Sequence, residues 1–405
     1  MPEDGRQGRP QEGGGAGRGE HTPCTHMDLG FLRPLYSTEA PVASVHLDTS
    51  RQSTDSDKEI ELRWRHLREH LAELGTDHAT LQALHEAVGQ GASRSYGTHG
   101  QSLFASRGQL LNTHTLAVPP QRDHATWMPV PDPLPLVLDR ARHVPYVLIA
   151  LDRVNAEIVG YTDQPAQGPV LQENPTGQTM HDLDGPIGRS GPGQHRGLGA
   201  RGNAQHAAQQ MWRENTAAFA EHVREAVRAV QAKIILVGGD EEAITYLRQN
   251  LGPRQLSIPI RIIAGGRGGQ AARDRLHQAA EQALNDFIAD EHARALADYQ
   301  QKLANEQAVQ GTGKAAHMLT EARVQTLLLS PDREEEEQLY ASLHQPVPVA
   351  QHSADLGQPD QDVFTAPASA LMLRSAVASD ASFTELTEQE RTDHGALLRF
   401  ADNNH

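Results

Sequence analysis

The chain has 405 residues, 38% of them hydrophobic, with a mean hydropathy of −0.56. That length suggests about three domains, and no run of 18 apolar residues exists to form a membrane helix. Lys and Arg number 36 against 52 Asp and Glu, a net charge of −16, which excludes a uniformly basic nucleic-acid binder but leaves room for a local basic patch. Aromatic residues, at 4%, are too thin for a protein built to stack bases. A single cysteine, Cys24, excludes an intrachain disulfide and any zinc site needing two cysteines, and points to a reducing, cytoplasmic setting. The N-terminus lacks the apolar stretch of a secretory signal.

In chain order, residues 1–27 are Gly, Arg, Glu and Gln with almost nothing apolar, and are expected to form a disordered tail. PVASVHLDTS (41–50) predicts a strand. Ile60, Trp64, Leu67, Leu71 and Leu74 recur at helical spacing and predict one buried stripe. Thr80 to Val88 predicts a second, short helix. SLFAS (102–106) and QLLNTHTL (109–116) flank Arg107-Gly108 as a hairpin. This α+β region, 28–132, ends in the proline cluster Pro129, Pro131, Pro133 and Pro135.

A middle α/β domain, 133–268, opens with two strands, Val147 to Leu151 and Ala156 to Tyr161, around a turn at Asn155. A Gly/Arg loop over 163–203 then feeds a long helix, about 204–231. IILVGG (234–239) and SIPIRIIAG (257–265) predict strands on either side of the helix DEEAITYLRQNL. The C-terminal α/β domain, 269–405, begins with a long helix over about 271–307. GTGK (311–314) breaks the helix and HMLTEARV resumes it. QTLLLSP (325–331) predicts a strand, Glu334 to Glu337 an acidic surface run, and 345–362 a Pro/Gln-rich loop. ALMLRSAVAS then predicts a helix, and FTELT and GALLRF predict strands.

Several motifs invite chemistry. His66, Glu69 and His70 spell HxxEH, but they flank the buried stripe of a charged helix and have no third ligand, so a solvated face is expected and no zinc. Gly197 to Gly202 spells GxGxxG without a preceding strand. Gly311 to Lys314 lacks the first glycine and the metal-binding hydroxyl of a phosphate loop, since positions 308 and 315 are alanine. His21, Cys24 and His26 lie together in the expected tail. No cofactor, metal or catalytic residue is assigned.

The stretch 185–213 is more informative. It holds Arg189, Arg196, Arg201 and Arg213, seven glycines and no Asp or Glu, a local inversion of sign in an acidic chain. Gln194, His195, Gly202, Asn203 and His206 complete a set suited to a phosphate-rich partner such as RNA. Gly268-Gly269-Gln270 is a literal GGQ tripeptide.

Taken in order, PYVLIALDRVNAEIVGY, the long helix followed by IILVGGDEEAITYLRQNL, GTGKAAHMLTEARVQTLLLSP and the closing GALLRF resemble the class-one release factor and Pelota superfamily. More narrowly they resemble its bacterial branch, the bacterial archaeo-eukaryotic release factor family. The resemblance implies an α/β, three-domain architecture with mixed sheets after the N-terminal tail. It places the family's catalytic loop directly before the long middle helix, at Arg201, Gly202 and Asn203. The GGQ falls later, at a glycine-rich joint between domains, where it is expected to be a coincidence of composition. Gly191-Pro-Gly193-Gln194 is a second near match inside the loop, and no stretch resembles the NIKS stop-codon motif. By resemblance, the protein is expected to occupy the ribosomal A site, between the rRNA of the decoding and peptidyl-transferase centres, without releasing peptide. Elongation factor Tu is the expected GTPase partner, hibernation or stress protection the expected role, and no membrane is involved. The alternative is a peptidyl-tRNA hydrolase or release factor using Gln194 or Gln270.

Overall fold

The computed structural model describes residues 26–179, 198–252, 257–334, 336–386 and 394–400. Most of the expected N-terminal tail thus lies outside the described residues. Its last residue, Met27, does not behave as a tail: strand β1 (Met27–Asp28) pairs antiparallel with a strand near the other end of the chain, Met27 opposite Phe383.

The N-terminal sheet contains β2 (Val42–Asp48), β3 (Gly100–Ser106), β4 (Gln109–Leu116) and β5 (His124–Met128), all antiparallel, in the order β4-β3-β2-β5. Helices α1 (Ser56–Glu73) and α2 (His78–Ala87) cover one face. Trp64, Leu67 and Leu71 of the predicted stripe pack on Val45, Leu47 and Leu103. Leu74 leaves the stripe because the helix ends at Glu73, and it is exposed. Asp77 caps α2, accepting from the Thr80 amide at 2.9 Å. At the predicted hairpin, Arg107 (φ 50°) and Gly108 (φ 74°) both adopt left-handed backbone, the conformation that matches strand twist in a two-residue turn.

The proline cluster runs straight into helix α3 (Leu134–Ala141), an element the sequence analysis missed. Proline in a first turn costs a helix nothing, since that N–H has no intrahelical partner.

The middle sheet begins with β6 (Tyr146–Leu151) and β7 (Ala156–Tyr161), the predicted pair, in register from Tyr146–Tyr161 to Leu151–Ala156. The first part of the predicted 163–203 loop is anchored instead: β8 (Leu171–Glu173) adds to β7, and Thr176 bridges to Asn155. Helix α4 (Leu198–Val230) starts earlier than expected. Strand β9 (Ile234–Gly239) runs parallel to β6. Asp240 caps α5 (Glu241–Leu251), accepting from the Glu242 and Ala243 amides. Strand β10 (Ile260–Ile262) is parallel to β9 and much shorter than predicted. The sheet order is β10-β9-β6-β7-β8. Helices α4 and α5 bury one face, while Leu276, Ala280 and Phe287 of helix α6 (Gln270–Ala304) bury the other.

The C-terminal sheet has the order β1-β16-β12-β17-β11, built from β11 (Ala308–Gln310), β12 (Val324–Leu329), β16 (Ser382–Glu385), β17 (Gly395–Leu398) and the early strand β1. A second sheet of β13 (Gln338–Ser342), β14 (Val349–Ala350) and β15 (Val363–Pro367) was not anticipated. Nor was β11. GTGK does not break a helix: Gly311 (φ 106°) ends the turn after β11, and α7 (Thr312–Thr320) begins at Thr312. The predicted acidic surface run is partly structural. Glu336 accepts from Arg333 and from the Ser369 amide at the start of α8 (Ala368–Ala378), both at 2.7 Å.

Packing crosses two of the expected domain boundaries. Leu134, Leu136 and Val137 of α3, and Leu29, Leu32 and Leu35 from the turn after β1, share one core with Phe104 of the N-terminal sheet and Leu371 and Phe383 of the C-terminal region. Helix α6 serves two sheets, its first half the middle one and its Tyr299 the C-terminal one. Phe104 is fully buried in the shared core. Phe104→Ala should therefore lower the unfolding free energy by about 3–5 kcal/mol, measured by denaturant titration followed by circular dichroism.

Candidate functional site

The C-terminal ends of β6 and β9 point to the same edge of the middle sheet. Helix α4 leads directly into β9, so it runs antiparallel to that strand and its N-terminal end lies at this edge. At 33 residues and 1.5 Å per residue it is about 50 Å long, against about 20 Å for the six-residue β9. The difference is an overhang. Core packing on the sheet starts at Phe219, and His206, where side chains begin to be described, is exposed.

One side chain marks the level at which α4 leaves the sheet. Asn215 is buried, and its Oδ1 accepts from the Gln178 amide at 2.7 Å. Its Nδ2 donates to the Gln178 carbonyl at 3.0 Å and the Arg153 carbonyl at 3.3 Å. It thus ties the β6–β7 turn to the segment that enters the Gly/Arg stretch. Asn215-Thr216 in mid-helix is itself a signal the sequence analysis overlooked, since Asn disfavours helix interiors unless its amide has a specific partner. From Asn215 back to Leu198 the helix extends about 25 Å beyond this clamp. Beside the clamp, the Arg153 guanidinium lies 4.3 Å from the Trp212 ring centre, and that of Arg213 lies 5.1 Å from the Tyr246 ring centre.

The expected site residues divide accordingly. Arg201, Gly202 and Asn203 lie on the overhanging part of α4, and His206 follows one turn later. Arg189, Gln194, His195 and Arg196 lie outside the described residues. The GxGxxG stretch enters α4 rather than forming a turn after a strand.

The literal GGQ sits elsewhere. Gly269 precedes α6 with φ 79°, and Gln270 is the first residue of the helix, donating to Asp274 Oδ1 at 2.7 Å. The turn is held down at sheet level, where Arg267 pairs with Asp152 at 3.3 Å and the Gly266 amide donates to the Ala272 carbonyl. Gln270 shares an edge with the overhang but not its reach. The glycines before it answer local geometry: Gly265 has φ 101°, and a side chain there would overlap the backbone of α6.

His66, Glu69 and His70 are all exposed on α1. His21 and Cys24 lie outside the described residues, while His26 is half-buried beside Thr384 and Thr326. Among the described residues no helix is long and apolar enough to cross a membrane. The clamp gives a direct prediction. Asn215→Ala removes three hydrogen bonds made by a buried side chain and leaves the Gln178 amide without its acceptor, so hydrogen exchange at that amide should speed up and stability should fall by about 1–3 kcal/mol.

Comparison with known proteins fits this geometry. The family model of bacterial archaeo-eukaryotic release factor family 2 matches residues 145–305, from β6 through α6. Two uncharacterized proteins of Mycobacterium tuberculosis, MT2704 of strain CDC 1551 and Rv2629 of strain H37Rv, are each 26% identical over 235 residues. That match spans 58% of this chain and 59% of each relative's length. Among solved structures, the archaeal translation termination factor aRF1 aligns over 91% of this chain and 96% of its own at 13% identity, with a TM-score of 0.23. Dom34 of S. cerevisiae, a translation termination-like factor that interacts with Hbs1, aligns over 76% and 81% at 9% identity and 0.39. Archaeal Pelota, bound to the ribosome with ABCE1, aligns over 92% and 94% at 11% identity and 0.36. All three scores are low, and the assignment rests on the family match. Residues 145–305 of the chain, from β6 through α6, are similar to bacterial archaeo-eukaryotic release factor family 2.

Proposed function

We propose that the protein is a ribosome-associated translation factor that places the overhang of α4 and its Gly/Arg stretch in the A site and does not release peptide. The observation that carries this reading is the position of Arg201-Gly202-Asn203, about 20 Å beyond the Asn215 clamp, on a domain matched by a release-factor family. Arginine without nearby acid in sequence, on a chain of net charge −16, favours contact with phosphate at this place and disfavours it over the rest of the surface. The finer role is hibernation or stress protection, as in the ribosome hibernation factor Balon, with elongation factor Tu as the GTPase partner. Pelota's association with ribosomes and Dom34's interaction with Hbs1 support a ribosome and a partner factor for this chain too.

The placement of Gln270 supports the absence of peptide release through the literal GGQ. Water-mediated ester hydrolysis needs a glutamine positioned at the tip that reaches the ester. Gln270 lies at sheet level with its amide engaged by Asp274.

The test is co-sedimentation with ribosomes across a salt series. Replacing Arg189, Arg196 and Arg201 together with Ala should weaken binding and flatten the salt slope by about 3 log units per log unit of salt if each contacts one phosphate. Binding that does not change with salt would remove the electrostatic account. Gln270→Ala should leave binding unchanged, and the wild type should not hydrolyse peptidyl-tRNA. Hydrolysis lost in Gln270→Ala would replace this reading with the release-factor alternative.

A further inference from the structure

The end of α3 is tied to all three regions of the chain, and each tie is polar. Asp139 is buried; it accepts from the Ala117 amide at 2.8 Å and lies 3.2 Å from His114 Nε2, which fastens the helix to the end of β4. Arg142 donates through Nε to Oε2 of Glu385 at 3.0 Å, a buried carboxylate that closes β16. Between these two, Arg140 faces the middle domain. Its Nε and Nη2 each donate to one oxygen of Asp163 at 2.8 Å, the parallel two-bond geometry in which guanidinium and carboxylate bind best. The Arg140 guanidinium carbon also lies 4.0 Å from the centre of the Phe31 ring, which steadies it against the shared core. Asp163 stands two residues beyond β7.

Apolar packing does little to orient the middle domain on the rest. Its two apolar clusters draw on residues 144–287 and take none from the N-terminal sheet, α3 or the C-terminal sheets. The core around α3 in turn takes nothing between Ala141 and Val309. The 3-10 turn Pro165–Gln167 packs on β4 and on the turn Gly91–Arg94, but none of its residues is buried. Domains that meet without a large apolar interface move relative to one another unless something else holds them.

Two covalent joints remain. The chain enters the middle domain through His143 and Val144. Arg142 before them is held by Glu385, and the Pro145 carbonyl after them accepts from the Lys233 amide at 2.8 Å. It leaves along α6, between Phe287, packed on the middle sheet, and Leu296, packed with the C-terminal one. A body attached at two points can turn about the line that joins them.

We propose that the Arg140–Asp163 pair is a latch that sets the orientation of the middle domain, and that opening it lets the domain turn, with α4, about the line through these two joints. Arg140 is the fixed half, on a helix anchored to the sheets at both ends of the chain; Asp163 is the moving half. Their side chains are 14% and 22% exposed, so water and dissolved ions reach the pair and weaken it as salt rises. A partner that fits one orientation better then selects it through its difference in affinity.

The test needs no partner. In the full chain carrying Cys24→Ser, spin labels are placed at two exposed positions, Glu86→Cys in α2 and Glu225→Cys in α4, and double electron–electron resonance reads the distance from the N-terminal sheet to the middle domain. Glu86→Cys with Ala378→Cys in α8, also exposed, is the control pair, since both lie on the unit built around α3. With the latch intact, both pairs should give one narrow distance at low salt. Asp163→Ala should broaden the first distribution or add a second distance, and leave the control pair unchanged. High salt should do the same to the chain with Asp163 in place, a readout that does not depend on the variant. A first pair as narrow in Asp163→Ala as with Asp163 would overturn the latch. Equal broadening of both pairs would overturn it too, because it would mark a loosened molecule rather than a turning domain.

Discussion

The fold depends on a core that no contiguous stretch of chain can close. Leu29, Leu32 and Leu35 from the start of the described chain, Phe104 from the N-terminal sheet, Leu134 and Leu136 from α3, and Leu371 and Phe383 from the C-terminal region bury one another. Strand β1 makes the same point in hydrogen bonds, since it forms the edge of a sheet whose other members come after residue 307. Apolar area removed from water stabilises by about 25 cal/mol per Å² wherever the residues come from. The first and last thirds of the chain therefore pack as one unit around α3. Asp132 and Arg333 add a buried charge pair across the same junction, and Glu336 passes it on to the start of α8.

The middle sheet stands on its own core and is joined to that unit through the segment before β6 and through α6. This arrangement gives α4 its character. A helix of 33 residues cannot be covered by a sheet whose strands are six residues long. Its last three turns pack on the sheet while its first turns extend past the edge. Asn215 fixes where one becomes the other, because an amide side chain can accept from and donate to the backbone of the incoming segment at once. Of the residues expected to meet a phosphate-rich partner, Arg201, Gly202, Asn203 and His206 are thus carried on the extending part of the helix.

Glycines near the candidate sites follow backbone geometry more than chemistry. Gly265 and Gly269 adopt positive φ in the turn between β10 and α6. A turn of this kind supplies a Gly-Gly sequence, and the helix that follows happens to begin with Gln270.

Much was written locally. The stripe Ile60, Trp64, Leu67 and Leu71, the hairpin at Arg107-Gly108, the pair β6–β7 and the apolar run of β9 follow from periodicity and turn chemistry alone, because each element's partners lie close in sequence or its burial is continuous. So did the sign inversion over 185–213, which is a matter of composition. What only the tertiary structure decided has a common cause: the partners are far apart in the chain. Helix α3 looked like a proline linker because its apolar face finds its core in residues beyond 310. Strands β11, β13, β14 and β15 have two to five residues each, too few for a period to register. The reach of α4 depends on where a sheet ends, and Asp132 is a buried hub only because β2 and β5 pair in one register. Sequence spacing carries none of these, since distance in space is set by the fold and not by the count of residues between.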